Sequence, residues 1–193
     1  MAEAVFSIDE FVGECLEAVR REGVSGAPAV REILQRTVSK PGAVIDAIGE
    51  PAAAPVFSTW HTGDELTVLH VVWPPTVDLM PHDHMMWASI GLYGGREDNR
   101  FFRALPNGRL ENRGGTTLLG GDTVLLGPDT IHAVSNPSTA WTGAIHVYGG
   151  NYFRSGRRLW LDEDDEPSEF DASRVMAVLD EAAARAGRAP VDH

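Results

Sequence analysis

The chain has 193 residues, of which 43% are hydrophobic and 23% charged, a composition that suits one compact globular domain with length left over for helices outside its core. Sixteen Lys and Arg stand against 28 Asp and Glu, formally −12, so the basic footprint of a nucleic-acid binder is missing. One cysteine, Cys15, excludes a disulfide framework and a cysteine-rich zinc site; no stretch approaches the roughly 20 apolar residues of a membrane span, and the first residues lack the basic start and apolar core of a signal peptide, so a cytoplasmic location is expected.

Residues 7–20 predict a helix, with Ser7 and Glu10 in capping-box spacing and Phe11, Cys15, Leu16 and Val19 on one face. Gly23 can end it. A second helix is expected over 29–38 and a short third from Pro41 to Gly49, followed by a linker at 50–55. From Val56 the pattern changes to short Val-, Thr-, Leu- and aromatic-rich runs between Gly, Pro, Asp and Asn. The predicted strands are 56–62, 66–73, 82–93, 100–105, 116–120, 123–127, 132–136 and 142–149, with turns at 62–65, 106–109 and 136–139. Arg96, Glu97, Asp98 and Arg100 read as a charged, solvated turn. Residues 162–169 read as an acidic loop, and 171–187 as a helix capped by Asp171 with Val175, Val178, Leu179 and Ala182 on one face. Many closely spaced strands without intervening helices predict a mainly β protein, an antiparallel barrel or jelly roll. The expected organisation is one domain: an N-terminal helical segment over 1–50, a barrel over 51–162, and an acidic loop with a C-terminal helix over 163–193. Exposed barrel edges and the helical arms could support a homodimer.

Seven histidines are present, at 61, 70, 82, 84, 132, 146 and 193. In an extended segment residues i and i+2 share a side, so His82 and His84 can point into one cavity while Asp83 faces away. His132, in a distant strand, can supply a third imidazole and leave coordination positions open. A hydrogen-bonded pair of histidines without metal is the plain alternative. His61 and His70 read as structural or pocket-lining, and Met85, Met86 and Trp87 as barrel and pocket wall.

The chain resembles the cupin superfamily. His82, His84 and Gly95 fall in register with the first cupin motif, with Thr76 in place of its leading Gly and Ala88 in place of its Glu ligand. Gly121, His132 and Asn136 match the second motif, with Gly127 and Asp129 replacing its Pro and Gly. The resemblance implies a single cupin double-stranded β-helix, with a metal held by His82, His84 and His132. Three histidines without a carboxylate resemble the cysteine dioxygenase-like, or thiol dioxygenase-like, branch. Trp73 stands where that branch has a tryptophan ahead of its His-x-His, and Ala144, His146 and Tyr148 match its Ser-x-His-x-Tyr triad except for the lost serine. Ser89 takes the place of a cysteine that animal cysteine dioxygenases cross-link to the Tyr.

That resemblance implies Fe(II), although Ni, Mn and Zn also accept imidazole. It implies O2 and a small thiol-containing acid as partners, with His146 and Tyr148 in the catalytic role. No Arg occurs at 54–62, where cysteine dioxygenases proper hold the substrate carboxylate. Mercaptopropionate-type members carry a basic pair after the Tyr, which places Arg157 and Arg158, with Trp73 and Met86, as candidate substrate contacts. The plainer expectation is that Arg154, Arg157 and Arg158 pair with the acidic residues 162–166 or with solvent. Another metal-dependent cupin enzyme, or a non-catalytic small-ligand binder, is the alternative.

Overall fold

The computed structural model describes residues 5–51, 54–154 and 156–187, apart from the side chains of Val24 and Ser25. His193 and part of the expected linker at 50–55 lie outside the described residues. Three helices come first: α1 (Ile8–Glu22), α2 (Ala27–Val38) and α3 (Pro41–Ile48). Ser7 caps α1, its hydroxyl accepting from the Glu10 amide, and Gly23 ends that helix in the left-handed region at φ 62°.

Among the described residues eleven strands follow: β1 (Val56–Thr62), β2 (Thr67–Trp73), β3 (Asp78–Asp83), β4 (Ala88–Gly94), β5 (Arg96–Ala104), β6 (Leu110–Leu119), β7 (Thr123–Leu126), β8 (Ile131–Ser135), β9 (Thr142–Tyr148), β10 (Arg158–Leu159) and β11 (Ser168–Glu169). They form two antiparallel sheets, ordered β1-β2-β9-β4-β7 and β11-β10-β3-β8-β5-β6. Helix α4 (Ala172–Ala186) closes the described chain, capped by the Asp171 carboxylate on the Ser173 amide at 2.9 Å. Consecutive strands repeatedly change sheet, so the two sheets wind together as a double-stranded β-helix barrel with flanking helices, the fold class expected.

The inner faces of the sheets share one core. Leu69, Val71 and Trp73 of β2 meet Ile90 and Leu92 of β4, Val134 of β8 and Ala144 of β9. Val175, Leu179 and Ala182 of α4 enter the same core, so the C-terminal helix is part of the barrel's packing. The outer face of the first sheet is covered by the N-terminal helices, where Phe11, Cys15, Val30 and Leu34 pack on Val68, Tyr93, Ile145 and Val147. Every residue of β2 and β9 is therefore buried, and both strands are mostly apolar without the alternation of a half-exposed strand.

Three expectations need correction. The single strand expected over 82–93 is two strands, because Met85 adopts φ 53° and turns the chain between β3 and β4. The charged turn expected at 96–100 is the first half of β5; Glu97 and Asn99 alternate inward and are buried, while Arg96 and Asp98 pair outside at 2.9 Å. The acidic stretch after β10 pairs with Arg100 and Arg109 through Glu163 and Asp164, and not with the arginines after β9.

Two motif positions acquire a physical reason. Gly95 sits at φ 81° against the Thr142 and Trp141 backbone, where a Cβ would come within 2.6 Å of the Thr142 Cα. Thr76, in place of the motif's leading Gly, is held at φ 59° and is exposed. A β-branched residue there bears about 1–2 kcal/mol of left-handed strain and returns little packing. Thr76→Gly should therefore raise the stability to urea by about 0.5–1 kcal/mol, after the extra chain entropy of glycine is subtracted; an unchanged or lowered midpoint would show that Thr76 is not strained.

Candidate metal centre

The barrel interior between β3, β5, β8 and β9 is where the polar side chains collect. His82 lies on β3 directly opposite His132 of β8 in the strand register. The chain stays extended through His84, just past the end of β3, before Met85 turns it. His82 and His84 thus share the inner side, their rings 5.0 Å apart, and His132 lies 4.6 and 5.1 Å from them. All three are buried, and one nitrogen from each lies within 4.8 Å of the others. Asp83 faces the opposite way, as expected of the middle residue. Its buried carboxylate accepts from the Arg158 amide at 2.8 Å and Nε at 2.7 Å, which ties β10 to β3.

The three imidazoles fit a cation on three counts. Burial holds all of them below the ordinary histidine range, His82 at about 4 and the other two well below it, so each ring is neutral and has a lone pair. His82 Nδ1 faces the Met80 carbonyl at 3.0 Å and must donate there, which leaves Nε2 as the free donor atom. His84 Nε2 and His132 Nε2 stand 3.0 Å apart. Two such nitrogens either share a proton or face a cation together, and cis ligands about 2.1 Å from one ion lie about 3 Å from each other. No carboxylate joins the cluster: Ala88, at the motif's Glu position, contributes only a methyl group to the core.

His146 and Tyr148 line the same cavity. His146 Nδ1 and the Tyr148 hydroxyl are 3.0 Å apart, while His146 Nε2 is buried without a hydrogen-bond partner. Burial lowers His146 to about 3 and raises Tyr148, so both are neutral. Ala144 packs in the core and offers no hydroxyl to the pair. Ala88, not Ser89, stands opposite Tyr148; Ser89 pairs with Val147 on the other face of β4, under the helices. The expected register of Ser89 with a cross-linking cysteine therefore does not bring it to the Tyr.

The expected substrate contacts separate. Trp73 lines the cavity; Met86 packs at the barrel end and does not. Arg158 is taken up by Asp83, and Arg154 by Asp64 at 2.7 Å. Arg157 is different. Its guanidinium is clamped between the rings of Tyr152 and Phe170, 3.9 and 3.8 Å from their centres, with Nε and Nη1 buried and without partners among the described residues. His61 and His70 stay outside the cavity; His70 bonds the Tyr93 hydroxyl at 2.8 Å beneath the helical layer. The cavity itself holds about 20 Å³, room for one water, and Phe57, Leu79, Val134, Tyr152, Phe170 and Val175 complete its wall.

Sequence reasoning missed Tyr152, Phe170, Glu97 and Asn99. Asn99 Oδ1 lies 2.7 Å from His132 Nδ1, and Asn99 Nδ2 donates to Glu97 Oε1 at 2.8 Å. Trp73 Nε1 donates to the other Glu97 oxygen at 2.8 Å. Burial pushes the Glu97 carboxyl up, and these two donors oppose that push. The available signal was the two-residue period of 96–100, with Arg, Asp and Arg on one face and Glu and Asn on the other.

No protein-family model matches the chain. Solved structures similar to it include a protein with a double-stranded β-helix domain from Klebsiella pneumoniae, at 16% identity and a TM-score of 0.46, covering 61% of this chain and 89% of that one. An RmlC-like cupin family protein from Methanocaldococcus jannaschii matches at 11% identity and 0.42, over 52% of this chain and 84% of that one. A Bacillus subtilis oxalate decarboxylase variant matches at 12% identity and 0.42, over 52% of this chain and 26% of that one. The double-stranded β-helix assignment rests on the two sheets themselves.

The buried neutral histidines set a pH dependence. In the unfolded chain they bind protons near pH 6.5, whereas the folded metal-free protein resists protonation until about pH 4 at His82 and about 3 at His146. The unfolded state therefore binds more protons in this window, and stability must fall as the pH falls. Urea unfolding of metal-free protein should show this loss beginning near pH 6.5 and deepening to about pH 4. A flat profile across that range would mean that these rings are not held neutral.

Proposed function

We propose that the protein is a mononuclear non-haem Fe(II) dioxygenase of the cysteine dioxygenase-like type, acting on a small thiol-containing acid. The observation that carries this reading is the content of one small apolar cavity. It has three neutral imidazoles without a carboxylate, and between Tyr152 and Phe170 of its wall stands the buried Arg157 guanidinium, with no acid paired to it among the described residues. Neutral ligands leave the full charge of a divalent ion to be met by anionic substrate, and the unpaired Arg157 awaits a second anion in the same molecule. A bound ferrous ion would supply positions for thiolate and O2 and the electrons that activate O2; Ni, Mn and Zn remain alternatives by donor set alone.

The protein's own groups have distinct tasks in this reaction. Arg157 holds the carboxylate, its fork already oriented by the two rings that sandwich it. The Tyr148 hydroxyl, positioned by His146 Nδ1, offers a hydrogen bond to the reacting oxygen or sulfur. Trp73, Leu79, Val134 and Val175 exclude bulk water. The balance is thiolate plus O2 giving sulfinate, with both oxygen atoms ending on sulfur and the thiol proton released to solvent. The room for only one water requires side chains at the mouth to move as substrate enters. Phe170, in the cavity wall, also borders an outer recess of about 240 Å³ that Arg157 lines, which makes this side the mouth. The lost triad serine and the lack of an Arg near β1 favour a substrate other than cysteine. They also keep in view a second reading, a metal-dependent cupin enzyme of different chemistry.

Oxygen-electrode assays of Fe(II)-loaded protein with 3-mercaptopropionate, cysteine and cysteamine test the proposal. Uptake is expected to be greatest with 3-mercaptopropionate, with one sulfinate formed per O2; no uptake with any of the three would remove the thiol reading. His132→Ala should lose tight metal binding, and its retention would contradict the ligand set. Tyr148→Phe should keep the metal and slow turnover about 10- to 100-fold, the worth of one hydrogen bond to a charged group. Arg157→Lys should raise KM for the acid and leave uptake with uncharged 2-mercaptoethanol unchanged; an unaltered KM would place the carboxylate elsewhere.

A further inference from the structure

Behind His132 lies a chain of hydrogen bonds whose directions can be worked out from chemistry alone. The indole Nε1 of Trp73 only donates, and it points at Glu97 Oε2. With Glu97 as the carboxylate, which only accepts, the Asn99 amide nitrogen donates to Oε1 at 2.8 Å. The Asn99 side chain is then fixed: Oδ1 faces His132 Nδ1 at 2.7 Å and can only accept there. His132 must therefore carry its proton on Nδ1. Its Nε2 is left as a bare lone pair, on the side where it lies 3.0 Å from His84 Nε2.

We infer that Glu97, acting through Asn99, is the positioning residue that sets the tautomer of His132 and so makes the three-histidine cluster able to take a cation. The inference rests on the metal reading of that cluster only for its consequence; the tautomer itself follows from the donors and acceptors. It also assigns Trp73 a second role beyond lining the cavity, because its N–H occupies the carboxylate oxygen that Asn99 does not. All three partners are buried, which removes water as a substitute at any point. Ligand histidines in metal sites usually have their second nitrogen held by an acceptor, and losing that acceptor typically weakens metal binding 10- to 100-fold.

The reason for a glutamate, and not a glutamine, at 97 makes the inference testable. In Glu97→Gln the single amide oxygen must accept from Trp73, so the new NH2 faces Asn99. Asn99 must turn its oxygen toward it, which presents Nδ2 to His132. The ring then has to accept at Nδ1 and carry its proton on Nε2, blocking the metal side. Adding Asn99→Asp reverses this: the amide NH2 now at position 97 donates to one oxygen of the carboxylate now at position 99, and the other oxygen accepts from His132 Nδ1. The double exchange keeps both the atom count and the net charge of the pair.

Nitrogen-15 NMR of histidine-labelled, metal-free protein above neutral pH reads the tautomer directly, with His132→Ala identifying the signal. The wild type should show a protonated Nδ1 and an unprotonated Nε2 at His132. E97Q should shift the ring toward the Nε2–H form and weaken Co(II) binding, followed by visible absorption, 10- to 100-fold. The E97Q/N99D exchange should restore both. A wild-type His132 protonated on Nε2 overturns the inference without need of any variant. So does an E97Q protein with unchanged tautomer and Co(II) affinity, or a double exchange that recovers neither. If the wild type shows the Nδ1–H form but binds no Co(II), the metal reading falls and the assignment of Glu97 as tautomer-setting residue stands.

Discussion

The dry interior of the barrel is the constraint on which the site depends. In water, histidine, asparagine and glutamate would each find partners freely. Between two packed sheets each polar atom must be met by another side chain, a backbone group or a ligand. The inward-facing polar groups here meet that demand almost completely behind the histidines, through Met80, Asn99, Glu97 and Trp73. Among the described residues they leave it unmet at His84 Nδ1, at His146 Nε2 and at two Arg157 nitrogens. His82 and His132 are held from behind by acceptors, and their other nitrogens are free toward the cavity.

The same asymmetry organises the fold. The first sheet is covered on its outer face by α1–α3, so its central strands bring rigid, fully buried backbones to the core. The second sheet carries His82, His132, Glu97 and Asn99. Segments that follow β9 then complete the wall: Tyr152 and Phe170 hold Arg157 between them, β10 is tied to β3 through Asp83, and α4 inserts Val175. A mostly pre-formed polar centre is thus finished by a later part of the chain that has fewer ties to the sheets.

Much of this was legible in residue order. The barrel showed itself in closely spaced β-rich runs, the helices in their caps, and the three histidines in an i, i+2 pair plus a distant partner. What hid the rest was also physical. Met85 adopts a conformation that its type disfavours, so the break between β3 and β4 left no Gly or Pro marker. Glu97 and Asn99 occur in a segment that is polar on both faces, and alternation of charge does not tell an inward face from an outward one. Arg157 sits one residue from Arg158 and close to Arg154, and only packing shows that two of the three are already paired. The third is recognised as a buried cation with no acid paired to it among the described residues only when Tyr152 and Phe170 are brought against it.

A centre of the kind proposed, joining oxygen to sulfur, would endanger the protein's own thiols first. Cys15, the chain's one cysteine, lies on the buried face of α1, on the far side of the first sheet, and burial pushes its thiol up to about 12. A thiol held so firmly protonated is a poor nucleophile and a poor ligand. With a whole sheet between it and the histidines, the barrel keeps its own sulfhydryl out of reach of its centre, and the only thiols that can meet the three imidazoles are those that arrive from outside.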